Sequence, residues 1–402
     1  MDSKFYFKRG KASSWQSQNL LLGPGEPGFE IDTGKLKVGN GIDKWNDLPY
    51  INYDPVENGN AYFVEANGAL PTGDVKDGTF CVLNNELYVR MNSNWKKLEN
   101  SGGQIQVIKI KSDSGVSVDG KTYETFDEAI AVAADGATLK VNDDIASISI
   151  PTGKNITIDL NGADIVNNEA NPIQNAYNAS LNIEGEGKVE CNKHGASVLE
   201  NKGTTSIMSG SFSRTIDEKG NGYYVIVNHG EMNIYNGVFS SPGGLSSLIE
   251  NGYYDYLSQY HLGESAEYPT ITINGGTFID SYITIKNDDA GICVINDGNF
   301  YGMVYNVGKS LTINGGYFYT NDGYEIIQCK KINDDINAGA LYINGGVFET
   351  TCDKILTTVN NSKPEIIIKG GKFNKEVPVE YIAFGYIQKL SNDGYYTIEK
   401  EE

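Results

Sequence analysis

Histidine is almost missing from this chain. His194, His229 and His261 are the only three in 402 residues, and they lie far apart. That spacing gives no support to a histidine-based metal centre or a Ser-His-Asp triad. Cysteine is scarce too. Cys81, Cys191, Cys293, Cys329 and Cys352 are odd in number and share no short spacing, so neither a disulfide framework nor a zinc site is indicated. No run of about twenty apolar residues occurs, which leaves no candidate for membrane insertion. The start Met1-Asp-Ser-Lys4 has no apolar signal region, so the expectation is a soluble product without a standard export signal. Basic residues are outnumbered, 32 Lys and Arg against 52 Asp and Glu, for a net charge of −20. That balance argues against nucleic acid and against an anionic membrane surface as partners.

What is abundant is glycine and tyrosine, 47 and 26 residues against five methionines, a composition of turns and strands. The pattern Ile-x-x-Gly-x-Phe recurs through the second half of the chain. It runs from Ile207-Met-Ser-Gly-Ser-Phe212 through Ile234…Phe239, Ile273…Phe278, Ile295…Phe300, Ile313…Phe318 and Ile343…Phe348 to Ile368-Lys-Gly-Gly-Lys-Phe373. Leu160…Ile165 fits as a weaker earlier copy, and Ile183…Val189 fits with one extra residue. Successive anchors are 18 residues (295 to 313) to 39 residues (234 to 273) apart. Such self-similarity marks a solenoid whose units bury their apolar faces only against one another. Around each anchor the sequence alternates as strands do, for example Leu311-Thr-Ile-Asn314, and Asn-Gly or Gly-Gly then supplies a sharp corner. The predicted fold is all-β, a parallel β-helix with one internal ladder of Ile and another of Phe. About ten coils at about 4.8 Å give a length on the order of 50 Å. No Gly-Lys-Ser/Thr follows the Gly-Gly steps and no dinucleotide fingerprint is present, so no cofactor is expected.

Both ends of such a stack need caps. Thr125-Phe-Asp-Glu128 is a capping box, Phe126, Ala129, Ile130 and Ala133 mark one helical face, and Gly136 is a stop. The helix leads into Ala137–Val141 and Ile156–Leu160. In this respect the chain resembles the pectin-lyase-like β-helices, which open on such a helix; the resemblance implies a right-handed parallel β-helix. Tyr386–Leu390 and Tyr395–Ile398, joined through Ser391-Asn-Asp-Gly394, read as a closing hairpin.

The first hundred residues are a different text. Arg9-Gly10 and Trp15 precede Gly25-Glu-Pro-Gly-Phe-Glu30, Asp32-Thr-Gly-Lys35 and Trp45-Asn-Asp-Leu-Pro-Tyr50. Phe29–Ile31 and Leu36–Val38 alternate around the turn, which predicts a hairpin too small to stand alone. In order and spacing these motifs resemble the N-terminal module of phage tail-fibre and tropism-determinant proteins. The resemblance implies a homotrimer, and attachment to other virion proteins through a module to which Trp15, Phe29, Trp45 and Tyr50 belong. A second hairpin module spans 56–100, ahead of a linker at 101–118. The boundaries are therefore 1–55 for the virion-attachment and trimerisation module, 56–100, 101–118, 119–378 for the β-helix with its capping helix, and 379–402 for the hairpin cap.

Residues flanking the inward Phe point outward. Tyr301, Tyr317 and Tyr319 therefore form an exposed aromatic patch, and the longest interval holds Tyr253, Tyr254, Tyr256 and Tyr260 in a bulging loop. Tyrosine with Asn, Asp and Gly is contact chemistry. These seven tyrosines are the candidate glycan-binding residues of a phage virion fibre or spike that recognises host surface polysaccharide. The enzymatic alternative, a depolymerase tailspike, needs two carboxylates roughly 5 to 9.5 Å apart. Asp280, Asp288, Asp289, Asp297, Asp334 and Asp335 are the acids in question, but they share no register position and show no clustered Lys or Arg. No catalytic residue is assigned, and a purely structural head fibre or decoration protein is the third alternative.

Overall fold

The computed structural model describes residues 8–23, 27–30, 36–38, 41–48, 62–65, 79–83, 86–91, 94–97, 115–214, 223–321, 323–332, 336, 338–359 and 362–402. The chain divides into two compact units, Met1–Ser112 and Asp113–Glu402.

The second unit is a parallel β-helix. Its first face is a twelve-stranded sheet, ten parallel strands from Ala137–Val141 to Ile366–Ile368 preceded by the antiparallel pair Val116–Val118 and Lys121–Tyr123. The pair lies partly in the stretch read as linker: Val116 pairs with Val141, so the sheet reaches back to 116. An eighteen-stranded sheet carries the other two faces. The Ile ladder runs in register from Ile183 through Ile207, Ile234, Ile273, Ile295, Ile313 and Ile343 to Ile368, all fully buried. Its earlier member is Ile158, which faces Ile183, and not Leu160. Leu160 is instead spent in a longer corner, buried beside Asn161, so the five-residue spacing misplaces the anchor by two.

The Phe ladder passes from Phe212 to Phe373 with ring centroids 4.6 to 5.3 Å apart and planes within 10° of parallel. That separation is the spacing of hydrogen-bonded strands. Each fully buried Phe contributes about 1.5–3 kcal/mol. The glycine two residues before each Phe has positive φ, from 99° at Gly316 to 133° at Gly298, which lets the chain turn where a side chain would be strained.

The third face holds a ladder the repeat did not reveal. Asn175, Asn201, Asn228, Asn251, Asn287 and Asn306 stack inside the helix, each amide Nδ2 donating to the Oδ1 of the next at 2.7 to 2.9 Å. The same amides also donate to backbone carbonyls of later coils, as Asn251 does to Ile292 at 3.0 Å and Asn306 to Ala340 at 2.9 Å. Buried amides are tolerated here because their groups, Asn175 Oδ1 excepted, are paired.

The helix Phe126–Val132 covers the open end. Thr125 Oγ1 accepts from Glu128 N and Glu128 Oε2 accepts from Thr125 N, both at 3.2 Å, and Phe126, Ala129 and Ile130 face the core. At the far end Tyr386–Leu390 and Tyr396–Lys400 form an antiparallel pair, and Phe373 pairs with Tyr396.

In the first unit, Lys8–Gly10 pairs parallel with Pro27–Glu30, which pairs antiparallel with Leu36–Val38. A four-stranded sheet follows, Tyr62–Glu65, Thr79–Leu83, Glu86–Met91 and Asn94–Lys97, with its last three strands antiparallel. Among the described residues no helix is long and apolar enough to cross a membrane.

Candidate functional site

The coil carrying Tyr301 is the shortest of the stack, 18 residues from Ile295 to Ile313, between intervals of 22 (273 to 295) and 30 (313 to 343). Between its strands Asn299–Tyr301 and Met303–Asn306 the turn is Gly302 alone. Gly302 has φ +157°, and a Cβ there would lie 2.6 Å from the Ser281 carbonyl oxygen. The preceding coil carries Asp280–Tyr282 within its strand Thr277–Asn287, and the following coil has a longer connection between Tyr317–Thr320 and Ile327–Cys329; a recess of about 490 Å³ lies between them. That volume is within the roughly 300–1,000 Å³ of ligand sites.

Four tyrosines line the recess. Tyr301 and Tyr319 come from the predicted patch, with centroids 6.3 Å apart and planes at 62°. Tyr282 and Tyr324 come from the preceding and following coils and meet edge to face across the short coil, centroids 4.5 Å apart at 73°. Asp280, exposed and in the left-handed region at φ +59°, and exposed Asn321 supply polar groups. Thr320 is already used: its Oγ1 bonds Tyr324 O at 2.7 Å and Thr350 Oγ1 at 2.8 Å, fixing the far wall. Burial raises the Tyr282 hydroxyl, with the Glu325 charge adding to it. Tyr317 stands beside the recess, 6.0 Å from Tyr301, with its hydroxyl donating to Glu349 at 2.8 Å. Tyr324 was missed because connections between strands have no register in the repeat, and Tyr282 because it lies in the stretch of the strand Thr277–Asn287 where the pairing register shifts. The short interval after Ile295 was their one visible sign.

The loop tyrosines are largely absorbed in their own packing. Tyr253 is fully buried, stacked on His229 at 4.7 Å, and its hydroxyl contacts Ser265 and the Ala266 carbonyl. It therefore holds the loop down and is removed from the candidate contact residues. Tyr256 and Tyr260 stack on each other at 5.2 Å across one turn of the short helix Tyr256–Gln259. Tyr254 is 71% exposed. Leu257 and Leu262, which present no flat face to a sugar, are more exposed still. Among the described contacts nothing joins this loop to the recess.

Acidic residues do converge at one place, with a lysine beside them, contrary to the expectation from sequence. Glu250 and Lys286 are register partners on adjacent coils, and Lys286 pairs with Asp288 and bonds Tyr224 Oη at 3.3 Å. Glu250 and Asp288 are nearly fully buried. Burial pushes the Glu250 carboxyl up to about 8, with the hydrogen-bonded Asp288 carboxylate adding to the shift. Burial would lower the Lys286 ammonium, but Asp288 raises it on balance. With Glu250 and Asp288 both buried and Lys286 paired to Asp288, this is a structural cluster shut off from a polysaccharide. Of the other acids, Asp297 Oδ1 accepts from Gly298 N at 2.8 Å in a bend, and Asp289, bridged to Tyr253, accepts through Oδ2 from Tyr256 N at 3.4 Å. Asp334 and Asp335 lie outside the described residues.

A pH dependence of stability follows. Glu250 keeps its proton in the fold after the unfolded chain has lost it. Its contribution is complete below about pH 4.5 and is lost as pH rises through about 8. His229 works in the opposite sense, lowered to about 4 by burial and by Lys202. Its contribution is complete above pH 6.5 and lost as pH falls through about 4. Thermal melts of Glu250→Gln should show a flattened slope between about pH 5 and 8, with the acid limb unchanged. An unaltered slope would refute the assignment.

In the first unit Trp15 stacks on Trp45 at 4.1 Å, and both are buried with Leu22 and Leu48. Lys37 Nζ lies 5.1 Å from the Trp45 ring centroid and donates to Trp45 O at 2.8 Å. The two tryptophans thus build the module's core. Phe29 lies in the strand Pro27–Glu30 opposite Leu36, its side chain outside the described set, as is Tyr50. Residues 7–43 match the major tropism determinant N-terminal domain. The chain thus carries a phage fibre-type module ahead of its β-helix. At this N-terminus it is also similar to a hyaluronoglucosaminidase of Streptococcus pyogenes phage H10403, 44% identical over 45 residues. The match covers 11% of this chain and 13% of that protein. No solved structure matches the chain.

Proposed function

We propose that this is a phage fibre or spike protein that binds a host cell-surface glycan non-covalently in the four-tyrosine recess. The observation that carries the reading is the recess itself, a gap between coils walled by aromatic faces on a chain with a tropism-determinant module. Aromatic walls with a few polar groups suit the apolar faces and hydroxyls of sugars. The N-terminal module would fix the protein to the virion, and a homotrimer belongs to the same proposal. The name of the phage relative favours a second reading, cleavage of the glycan. Its likeness, however, stops within 45 residues, and the acid cluster of Glu250 and Asp288 is buried away from solvent.

Incubation of purified host polysaccharide with the protein separates the two. Bound polysaccharide of unchanged chain length is expected. Shortened chains would overturn the non-enzymatic reading.

A further inference from the structure

Tyrosine rings in this molecule recur beside an ammonium group supplied by the chain. Lys309 Nζ lies 3.9 Å from the centroid of Tyr268. Lys372 Nζ lies 4.3 Å from Tyr395 while paired with Asp393 at 2.6 Å. Lys286 Nζ sits over Tyr224 at 5.7 Å and over Tyr254 at 5.2 Å while contacting Asp288. In the last two cases the pattern is ring, carboxylate and ammonium together.

The recess has two of those three parts. Tyr282, Tyr301, Tyr319 and Tyr324 supply rings and Asp280 a carboxylate, and its described lining residues include no Lys, Arg or His. A second negative charge stands close by. Burial works against ionisation of Glu325, yet hydrogen bonds from Thr357 at 2.5 Å and Gln328 at 2.8 Å hold its carboxyl below the usual range. Lys354 also acts on Glu325, but it does not line the recess. Ring faces are electron-rich and attract cations, and a carboxylate strengthens the field. An anionic sugar would meet repulsion from both.

We infer that the recess recognises an ammonium group borne by the glycan, either a free amino sugar or a quaternary ammonium substituent. This rests on the recess being the glycan site proposed above.

The test titrates the full chain calorimetrically with oligomers of glucosamine, with the same oligomers fully N-acetylated, and with tetramethylammonium chloride against sodium chloride at equal ionic strength. Wild type, Tyr301→Ala and Asp280→Asn are compared. The expected result is at least tenfold tighter binding of an ammonium probe than of the acetylated oligomer, reduced several-fold in Asp280→Asn and lost in Tyr301→Ala. Tyr301→Ala leaves the charge of −20 unchanged, so its loss separates the recess from bulk attraction of a cation. Preference for glucosamine oligomers identifies a free amine, and preference for tetramethylammonium a quaternary group. Equal, Tyr301-dependent binding of the acetylated oligomer would overturn the ammonium and leave the recess standing. Ammonium binding indifferent to Tyr301→Ala would overturn the recess itself, and no binding of either ammonium probe would overturn the inference.

Discussion

The double variant Tyr301→Ala, Tyr319→Ala is expected to lose on the order of a hundredfold in binding to host cells while its β-helix stays folded. An aromatic anchor at the centre of a contact is worth about 2 kcal/mol, and each 1.4 kcal/mol is about tenfold in affinity. The two rings are neighbours at 6.3 Å, so their losses should not simply add. Stability should change little, because Tyr301 is 42% exposed and both side chains point away from the Phe ladder. Tyr317→Phe is the matched comparison. It removes the hydroxyl bond to Glu349 but keeps the ring, so binding should persist. Cell binding unchanged in a folded double variant would remove the recess from the site.

Asn251→Ala should cost about 3–5 kcal/mol of stability, more than any surface change of similar size. Its side chain donates to Asn287 Oδ1 at 2.8 Å, to Ile292 O at 3.0 Å and to Pro269 O at 3.4 Å, and accepts from Asn228 at 2.7 Å. Truncation strands several of these partners inside the helix, at about 1–3 kcal/mol for each group left unpaired. The control has the same chemistry in water. Asn274, Asn296, Asn314 and Asn344 form an exposed ladder with bonds of 2.8 Å. Asn296→Ala should fall within about 0.5–1 kcal/mol, because water replaces the lost partner. Denaturant melts of the two variants decide the matter, and equal losses would show that burial is not what makes the inner ladder count. The same reasoning limits any loop deletion. Removing 251–268 would take Asn251 and Tyr253 with the loop, so a binding test should cut between Tyr254 and Glu264.

Much of the architecture was legible in the sequence because a parallel stack repeats its side chains at fixed register. Ile and Phe recur at a five-residue offset wherever the corner is two residues of Gly-Gly or its equivalent, so Ile207 to Phe373 could be read directly. The reading slipped at Leu160 because the corner there is longer. The inner Asn ladder was also written in the sequence, as Ile173-Gln-Asn175, Leu199-Glu-Asn201, Ile226-Val-Asn228 and Ile249-Glu-Asn251. It escaped notice because its distance from the Ile anchor changes with every loop.

The sequence by itself determined the coil, its caps, its apolar ladders and the fibre-type module, since each depends on local order and spacing. Only the tertiary structure decided the recess. Tyr282, Tyr301, Tyr319 and Tyr324 belong to three coils of unequal length, and they share a recess because stacking places the short turn at Gly302 between the long strand Thr277–Asn287 and the longer connection after Thr320. It likewise turned Tyr253 inward and brought Lys286 beside Glu250 and Asp288. Turn lengths are free to vary without disturbing the ladders, so nothing in the repeat constrains what neighbouring turns present to solvent.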